Sequence, residues 1–299
     1  PFLTCDAQSA PLPGITLRDH GLVVQTHDVI LRYFRFRIGD AGVIPNDPTH
    51  NYSAGDGETG LDFIEGAHNC IADHLSVSWA TNKLLDTTKM SDRITVQWCI
   101  LSEALNFADH GFASIVSGNR VTWHHNLFAH NESRNPRFQA MVDADFRNNV
   151  VYDWGWAAGY GEFNRLNYVG NYLKPGPSTT QSPKLFDEGD HLVAPGSIFL
   201  ADNFLEGDPK ATADNWRGMG YYYYDRQTLA AKTSFPAPPV NTESPQNAYP
   251  HLLQSAGDTL PTRDQTDQRI ENEVRSGTGH ILNRLSDLPK PPLHTPRSP

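Results

Sequence analysis

Six segments of the chain alternate small or polar residues with large apolar ones: "CIADHLSVSW", "RITVQWCIL", "RVTWHHNLF", "DFRNNVVYDW", "LNYVGNYLK" and "FLADNFLEG". Alternation with a period of two over such short runs predicts β-strands. Four of the segments place an asparagine before two apolar residues. These are Asn126, Asn149, Asn171 and Asn203, separated by 23, 22 and 32 residues, with Ser76 and Cys99 in the same register of the two earlier segments. A repeat this short has no room for a strand and a long helix, so each unit is one turn of a coil built of strands and bends. The pattern therefore predicts an all-β, parallel solenoid. Asparagine suits its corner because it tolerates a left-handed backbone and because stacked side-chain amides can bond along the coil axis. The wider gap before Asn203 holds "KPGPSTTQSPKLFDEGDH", read as a loop insertion.

After about residue 232 the alternation stops. "FPAPPVNTESPQNAYP" reads as a proline-rich crossing segment, and "RDQTDQRIENEVRSGTG" as a short helix capped by Asp264, with Ile270 and Val274 on one face and a glycine stop. "LPKPPLHTPRSP" reads as an extended tail. Residues 233–299 hold too few apolar side chains for a core of their own, so they are expected to wrap over a β-helical domain spanning residues 1–232.

Composition narrows the function classes. A formal charge of −10 over 299 residues argues against a nucleic-acid partner, which usually meets a net basic field. An anionic ligand would need a local basic cluster or a bridging cation. No run of 18 apolar residues suggests a membrane span, and "PFLTCDAQSAP" lacks the basic start and apolar middle of a signal peptide. Cys5, Cys70 and Cys99 leave at least one thiol unpaired, fit neither a disulfide framework nor a zinc site, and are read as three buried apolar thiols.

The chemistry concentrates in three places. "HHNLFAHNESRNPR" gathers Arg134 and Arg137 around a proline, "GLDFIEG" carries Asp62, and "TNKLLD" carries Asn82 and Asp86. These stretches, with "IADHLSVSW", the opening "APLPGITLRDHGLVVQTHDVILRYFRFRIGD" and "RDQTDQRIENEVRSGTG", resemble polysaccharide lyase family 1, the pectate lyases. The resemblance covers most of the chain. It implies a right-handed parallel β-helix that cleaves polygalacturonate, an acidic polysaccharide, by calcium-assisted β-elimination, in a secreted or periplasmic monomer. It also implies further turns before "PFLTCDAQSAP".

Within that resemblance Arg134 matches the catalytic arginine of an Arg-x-Pro motif. A guanidinium is an unusual base. Either neighbouring cations release its proton, or it stabilises the enolate while water or hydroxide takes the substrate proton. The family's second arginine stands five residues later, a position held here by Gln139. Arg137, three residues on, has the same parity in an extended strand and is assigned to substrate carboxylate. Asp62, Asn82 and Asp86 match the Ca²⁺ ligands, with a neutral amide where a carboxylate is usual and Gly60 where some members have another aspartate. A substrate-binding lysine expected near "LNFADHGFASIV" is missing, which leaves His110 as the polar cation there.

His74, His124 and His125 are read as packing histidines, and Asp143 and Asp145 as structural or as extra cation ligands, too close to serve as a hydrolase's carboxylate pair. Three alternatives stay open: a calcium-independent pectin lyase, a β-helix glycosidase, and a non-catalytic carbohydrate-binding β-helix.

Overall fold

The computed structural model describes residues 2–41, 57–88, 90–180, 182–189 and 195–288. Every strand pairing among them is parallel, and each turn of the coil contributes to three ladders. The first ladder begins with Leu3–Asp6, His27–Arg32, His68–Asp73, Asp92–Gln97 and Val121–His124. After a sharp corner comes the second: Thr16–Arg18, Arg35–Arg37, Ser76–Ser78, Ile100–Ser102, Leu127–Ala129, Val150–Tyr152, Tyr172–Lys174 and Phe204–Leu205. The third opens with Leu22–Val24, Leu61–Phe63, Leu85–Thr87 and Ile115–Val116. Two long strands, Arg137–Arg147 and Tyr160–Val169, then run from the third ladder into the first without a break. This is the parallel β-helix that the repeat predicts.

The interior is built in columns, because parallel pairing in register sets each side chain above its equivalent one turn earlier. Leu31, Ala72, Val96, Trp123, Phe146, Tyr168 and Leu200 form one such buried column. Its middle members, Trp123, Phe146 and Tyr168, are aromatic and its ends aliphatic, and the Phe146 and Tyr168 rings stack at 5.2 Å.

The corner between the first and second ladders holds the asparagine column. Asn149 Oδ1 accepts from the Asn126 backbone N–H at 2.9 Å, Asn171 does the same for Asn149, and Asn203 for Asn171. Each amide nitrogen also donates to a carbonyl of the preceding turn, as Asn149 does to Trp123 at 2.9 Å. Asn215 extends the column beyond the repeat by accepting from Asn203 N–H at 2.8 Å.

Two details differ from the sequence reading. The column passes through Cys99 to Leu75 rather than Ser76, since Ile100 pairs with both Leu127 and Ser76. The left-handed residue is the one before the column: His74, Trp98, His125, Asn148 and Asp202 all have φ between 52° and 57°. The asparagines are there for their amides. The "KPGPSTTQSPKLFDEGDH" segment likewise contains a strand, Phe186–Glu188, on the third ladder.

Beyond residue 232 the chain crosses the first ladder, where Phe235 N–H donates to Asn167 at 2.9 Å, and then packs two helices on the second. Gln265–Ser276 is capped by Asp264, which accepts from Asp267 N–H, and ends at left-handed Gly277. Its buried Ile270 and Val274 meet Leu127, Val150 and Tyr152. The other helix, Pro245–Ser255, lies where the sequence suggested only a crossing segment. Pro245 stands in its first turn, where no N–H is needed, and Leu252 and Leu253 are buried against the coil. The proposed tail from residue 289 onward lies outside the described residues.

Candidate active site

Alternation along the third ladder turns one residue per strand outward. Leu61 and Phe63 are fully buried, so Asp62 between them faces out. Its column continues through Asp86 and Ile115 to Arg137, Tyr160 and Asp187, one residue from each successive turn. Adjacent strands are about 4.8 Å apart, so this is one continuous stripe along the coil, polar apart from Ile115.

Two carboxylates on neighbouring turns repel each other, and the site shows the consequence. Burial, then the charge of Asp86, push Asp62 up to about 6. Asp62 Oδ1 is buried with no hydrogen-bond partner. Burial also raises Asp86, although Lys83, the Ile115 N–H and Arg134 pull it back. Ile115 N–H donates to Asp86 Oδ1 at 2.7 Å, and Lys83 Nζ lies 2.5 Å from Oδ2.

Arg134 sits at a corner with φ of 60°, before the strand that starts at Arg137. The extended-strand parity argument therefore does not connect the two arginines. What connects them is Ser114, whose N–H donates to Arg134 O at 2.8 Å and whose carbonyl accepts from Arg137 N–H at 3.0 Å. The Arg134 guanidinium lies 3.9 Å over the Phe112 ring, and its Nε is buried without a hydrogen-bond partner. The other face of the cluster is His110, 4.1 Å from Phe112 and paired with Asn82 Oδ1 at 3.2 Å. Burial, then Arg134 and Lys83, depress His110 to about 4, so at neutral pH it is an uncharged imidazole and not the cation the sequence suggested.

The structure thus brings Asp62, Asp86, Arg134 and His110 around Lys83 and Phe112, with Arg137 next along the stripe. Asn82 is directed elsewhere. Its Nδ2 donates to Thr59 Oγ1 at 3.2 Å and its Oδ1 is taken by His110. Gly60 cannot be exchanged for an aspartate, since a Cβ there would lie 2.6 Å from Leu84 O.

Sequence reasoning does not reach Lys83, although it stands inside "TNKLLD", because the resemblance places its lysine in a later segment. It also missed a cleft of about 400 Å³ beside Phe112, lined by Glu132, Ser133, Trp156 and Tyr160 among others. Trp156 is 51% exposed and meets Tyr160 edge to face at 4.9 Å. The glycine-aromatic run "YDWGWAAGYGEF" was the available signal. The packing histidines are where expected, with His74 and His125 each stacked on Trp98. Asp143 pairs with Arg165 at 2.6 Å, and Asp145 with Arg147. All three cysteines are free thiols, but only Cys70 and Cys99 are buried; Cys5, on the first strand, is half-exposed, against the expectation of three buried thiols.

Calcium takes six to eight oxygens. Here one oxygen of Asp86 is held by a backbone N–H, the other by an ammonium, and Asn82 is turned to His110. Among the described residues no three His, Cys, Asp or Glu side chains converge as a metal site. The donor set as it stands does not fit Ca²⁺.

No family model matches the chain. Comparison with individual proteins gives a consistent result. A probable pectate lyase C of Emericella nidulans is 30% identical over 286 residues, which cover 94% of this chain and 62% of that protein. The chain thus spans less than two thirds of such a relative's length. A pectate lyase from Bacillus sp. N165, solved with trigalacturonate, superposes with a TM-score of 0.55 at 16% identity over 80% of this chain and 71% of that one. Jun a 1, the major allergen from cedar pollen, superposes with a TM-score of 0.58 at 17% identity over 85% and 73%. At such identities these two speak for the fold. The chain is a parallel β-helix protein. In sequence it is similar, over nearly its whole length, to probable pectate lyases.

Proposed function

We propose that this protein cleaves polygalacturonate by β-elimination along the stripe from Asp62 to Tyr160. The observation that carries the reading is Arg134: a half-buried guanidinium, backed by Phe112, with no salt bridge among the described residues and a buried Nε that bonds to nothing. Such a cation is preorganised for an anion that arrives with the substrate. In the reaction the C5–H bond of a uronate breaks and its electron pair is delocalised onto the C6 carboxylate as an enolate. That pair forms the C4=C5 double bond as the C4–O4 bond breaks, and the departing oxygen takes a proton from solvent. Because guanidinium keeps its proton in proteins, hydroxide or water accepts the C5 proton while Arg134 stabilises charge gathering on the C6 carboxylate. Arg137, further along the stripe, holds a neighbouring carboxylate. Exposed Trp156 offers a face for a sugar ring. The Ca²⁺ assistance implied by the family resemblance has no part in this reading, because Asp86 and Asn82 are otherwise engaged and Asp62 alone is too few ligands. A polymeric substrate would be met outside the cytoplasm, by a secreted or periplasmic monomer. None of the described helices is long and apolar enough to cross a membrane.

Incubation with polygalacturonate should produce the ultraviolet absorbance of unsaturated oligogalacturonides. New reducing ends without that absorbance would mean hydrolysis and overturn the proposal. A faster reaction on methyl-esterified polymer would move the substrate to pectin.

A further inference from the structure

The Lys83 ammonium stands beside Asp86, on the carboxylate stripe where a divalent cation would be expected, and it is held there by more than chance proximity. Its strand neighbourhood is fixed by a parallel bridge to Phe112, which itself bridges to Ser133, so Lys83 lies on the turn directly before the ring that supports Arg134. Its side chain is 16% exposed, enough to reach an incoming ligand and too little to be a solvated surface lysine. It approaches Asp86 Oδ2 at 2.5 Å and lowers Asp62 through its field. An ammonium has three N–H donors. The contact with Asp86 Oδ2 is an ion pair without hydrogen-bond geometry, and no hydrogen bond of Lys83 Nζ is found among the described residues, which leaves its donors for a ligand oxygen.

We infer that Lys83 is a built-in replacement for a catalytic metal, neutralising Asp62 and Asp86 and donating to the C6 carboxylate of the uronate, so that elimination proceeds without a divalent cation. This rests on the eliminase reading above. Charge decides the competition. Two carboxylates and one ammonium leave a net charge of −1 at alkaline pH, before Arg134 is counted. Adding Ca²⁺ to that set would place it beside a fixed cation, where its repulsion from Lys83 offsets much of its attraction to the carboxylates. Removing the ammonium should therefore create a metal site and destroy the metal-free reaction in one step.

The test compares wild type with Lys83→Met, using CaCl₂ as the probe. Wild type should form unsaturated product in excess EDTA, and millimolar Ca²⁺ should give neither calorimetric heat nor a rise in Tm. Lys83→Met should lose about a hundredfold or more of the EDTA-resistant rate, as expected for removing an electrostatic donor to the transition state, and its Tm should rise with added Ca²⁺. Wild-type elimination that EDTA abolishes and Ca²⁺ restores would overturn the inference while leaving the eliminase reading intact. So would Lys83→Met eliminating at the wild-type rate in EDTA. If no condition gives unsaturated product, the eliminase reading fails. The Ca²⁺ titration then decides alone: metal bound by wild type rejects the role of Lys83, and metal bound only by Lys83→Met supports its exclusion of the ion. Should Lys83→Met not fold, Lys83→Arg keeps the cation and should keep the EDTA-resistant reaction; loss of that reaction with Ca²⁺ bound would count against the inference.

Discussion

Arg134 and Arg137 differ in surroundings more than in chemistry. Arg134 has its ring support and its unbonded Nε at a corner, while Arg137 begins a ladder strand. Arg134→Lys should therefore reduce kcat by about a hundredfold or more with little change in KM, since lysine keeps charge but not a planar guanidinium over Phe112. Arg137→Lys should mainly raise KM. Reversed effects on product absorbance would exchange the roles. Asp62 gives a second prediction at this scale. Its folded value is raised from 3.8 to about 6, so the folded state holds the proton more tightly and stability falls as pH rises between those values. Asp62→Asn should then stabilise the protein at pH 8 by roughly 1–2 kcal/mol, after allowance for solvent screening, while slowing elimination. Chemical denaturation at pH 8 that shows no gain would deny the strain between Asp62 and Asp86. The sequence exposed the two aspartates and Arg134 because each sits in a compact motif. It misdirected Asn82 and passed over Lys83 because "TNKLLD" is a corner followed by a strand, and spacing along a corner does not say which way a side chain turns.

For the elements, period two and a repeat near 23 residues were enough to read the coil, because a parallel ladder in register copies the same alternation on every turn. The asparagine column was legible in four of its members. Its continuation to Asn215 was not, since 12 residues separate Asn203 and Asn215 and a short helix, Pro209–Ala213, intervenes. The helix Gln265–Ser276 announced itself through its cap, apolar face and glycine. Pro245–Ser255 did not, because prolines at both ends of its first turns outweigh its apolar face until that face finds the coil. The column itself can be tested. Asn149 accepts from the backbone and side chain of Asn126 and donates to Trp123 O and Asn171 Oδ1, all in the buried interior. Asn149→Ala leaves those partners unsatisfied and should lower unfolding free energy by about 3 kcal/mol or more. A change under about 1 kcal/mol in denaturant titration would mean that the turns pair without the amides.

Across the whole molecule, the helix Gln265–Ser276 is locked to the coil by charge as well as by packing. Arg37 reaches Asp264 at 3.0 Å and buried Asp267 at 2.7 Å, and Arg269 joins Glu103 to Glu273. At the far side of the same contact His130, fully buried, places Nδ1 2.7 Å from Asp153 Oδ2 and Nε2 3.3 Å from Glu273 Oε2. Burial opposes its charge, but Asp153 and then Glu273 prevail and raise it to about 9. Its charged form is thus a tie between the coil and the helix, and the sign of the pH effect follows. The tie is fully present below the ordinary histidine value of 6.5 and is lost as pH rises through about 9. Wild-type unfolding free energy should decline by roughly 2–3 kcal/mol across that window from this group. His130→Gln should be less stable at pH 6.5 but flatter, since it has no proton to lose and leaves Asp153 and Glu273 facing each other across a neutral amide. Groups that titrate equally in both proteins cancel in the comparison. Equal slopes for the two proteins in denaturant titrations at pH 6.5, 8 and 9.5 would show that His130 carries no charge in the fold. A steeper wild-type slope would show that alkaline media, which would favour the proposed elimination by supplying hydroxide, also loosen the helix that covers the second ladder.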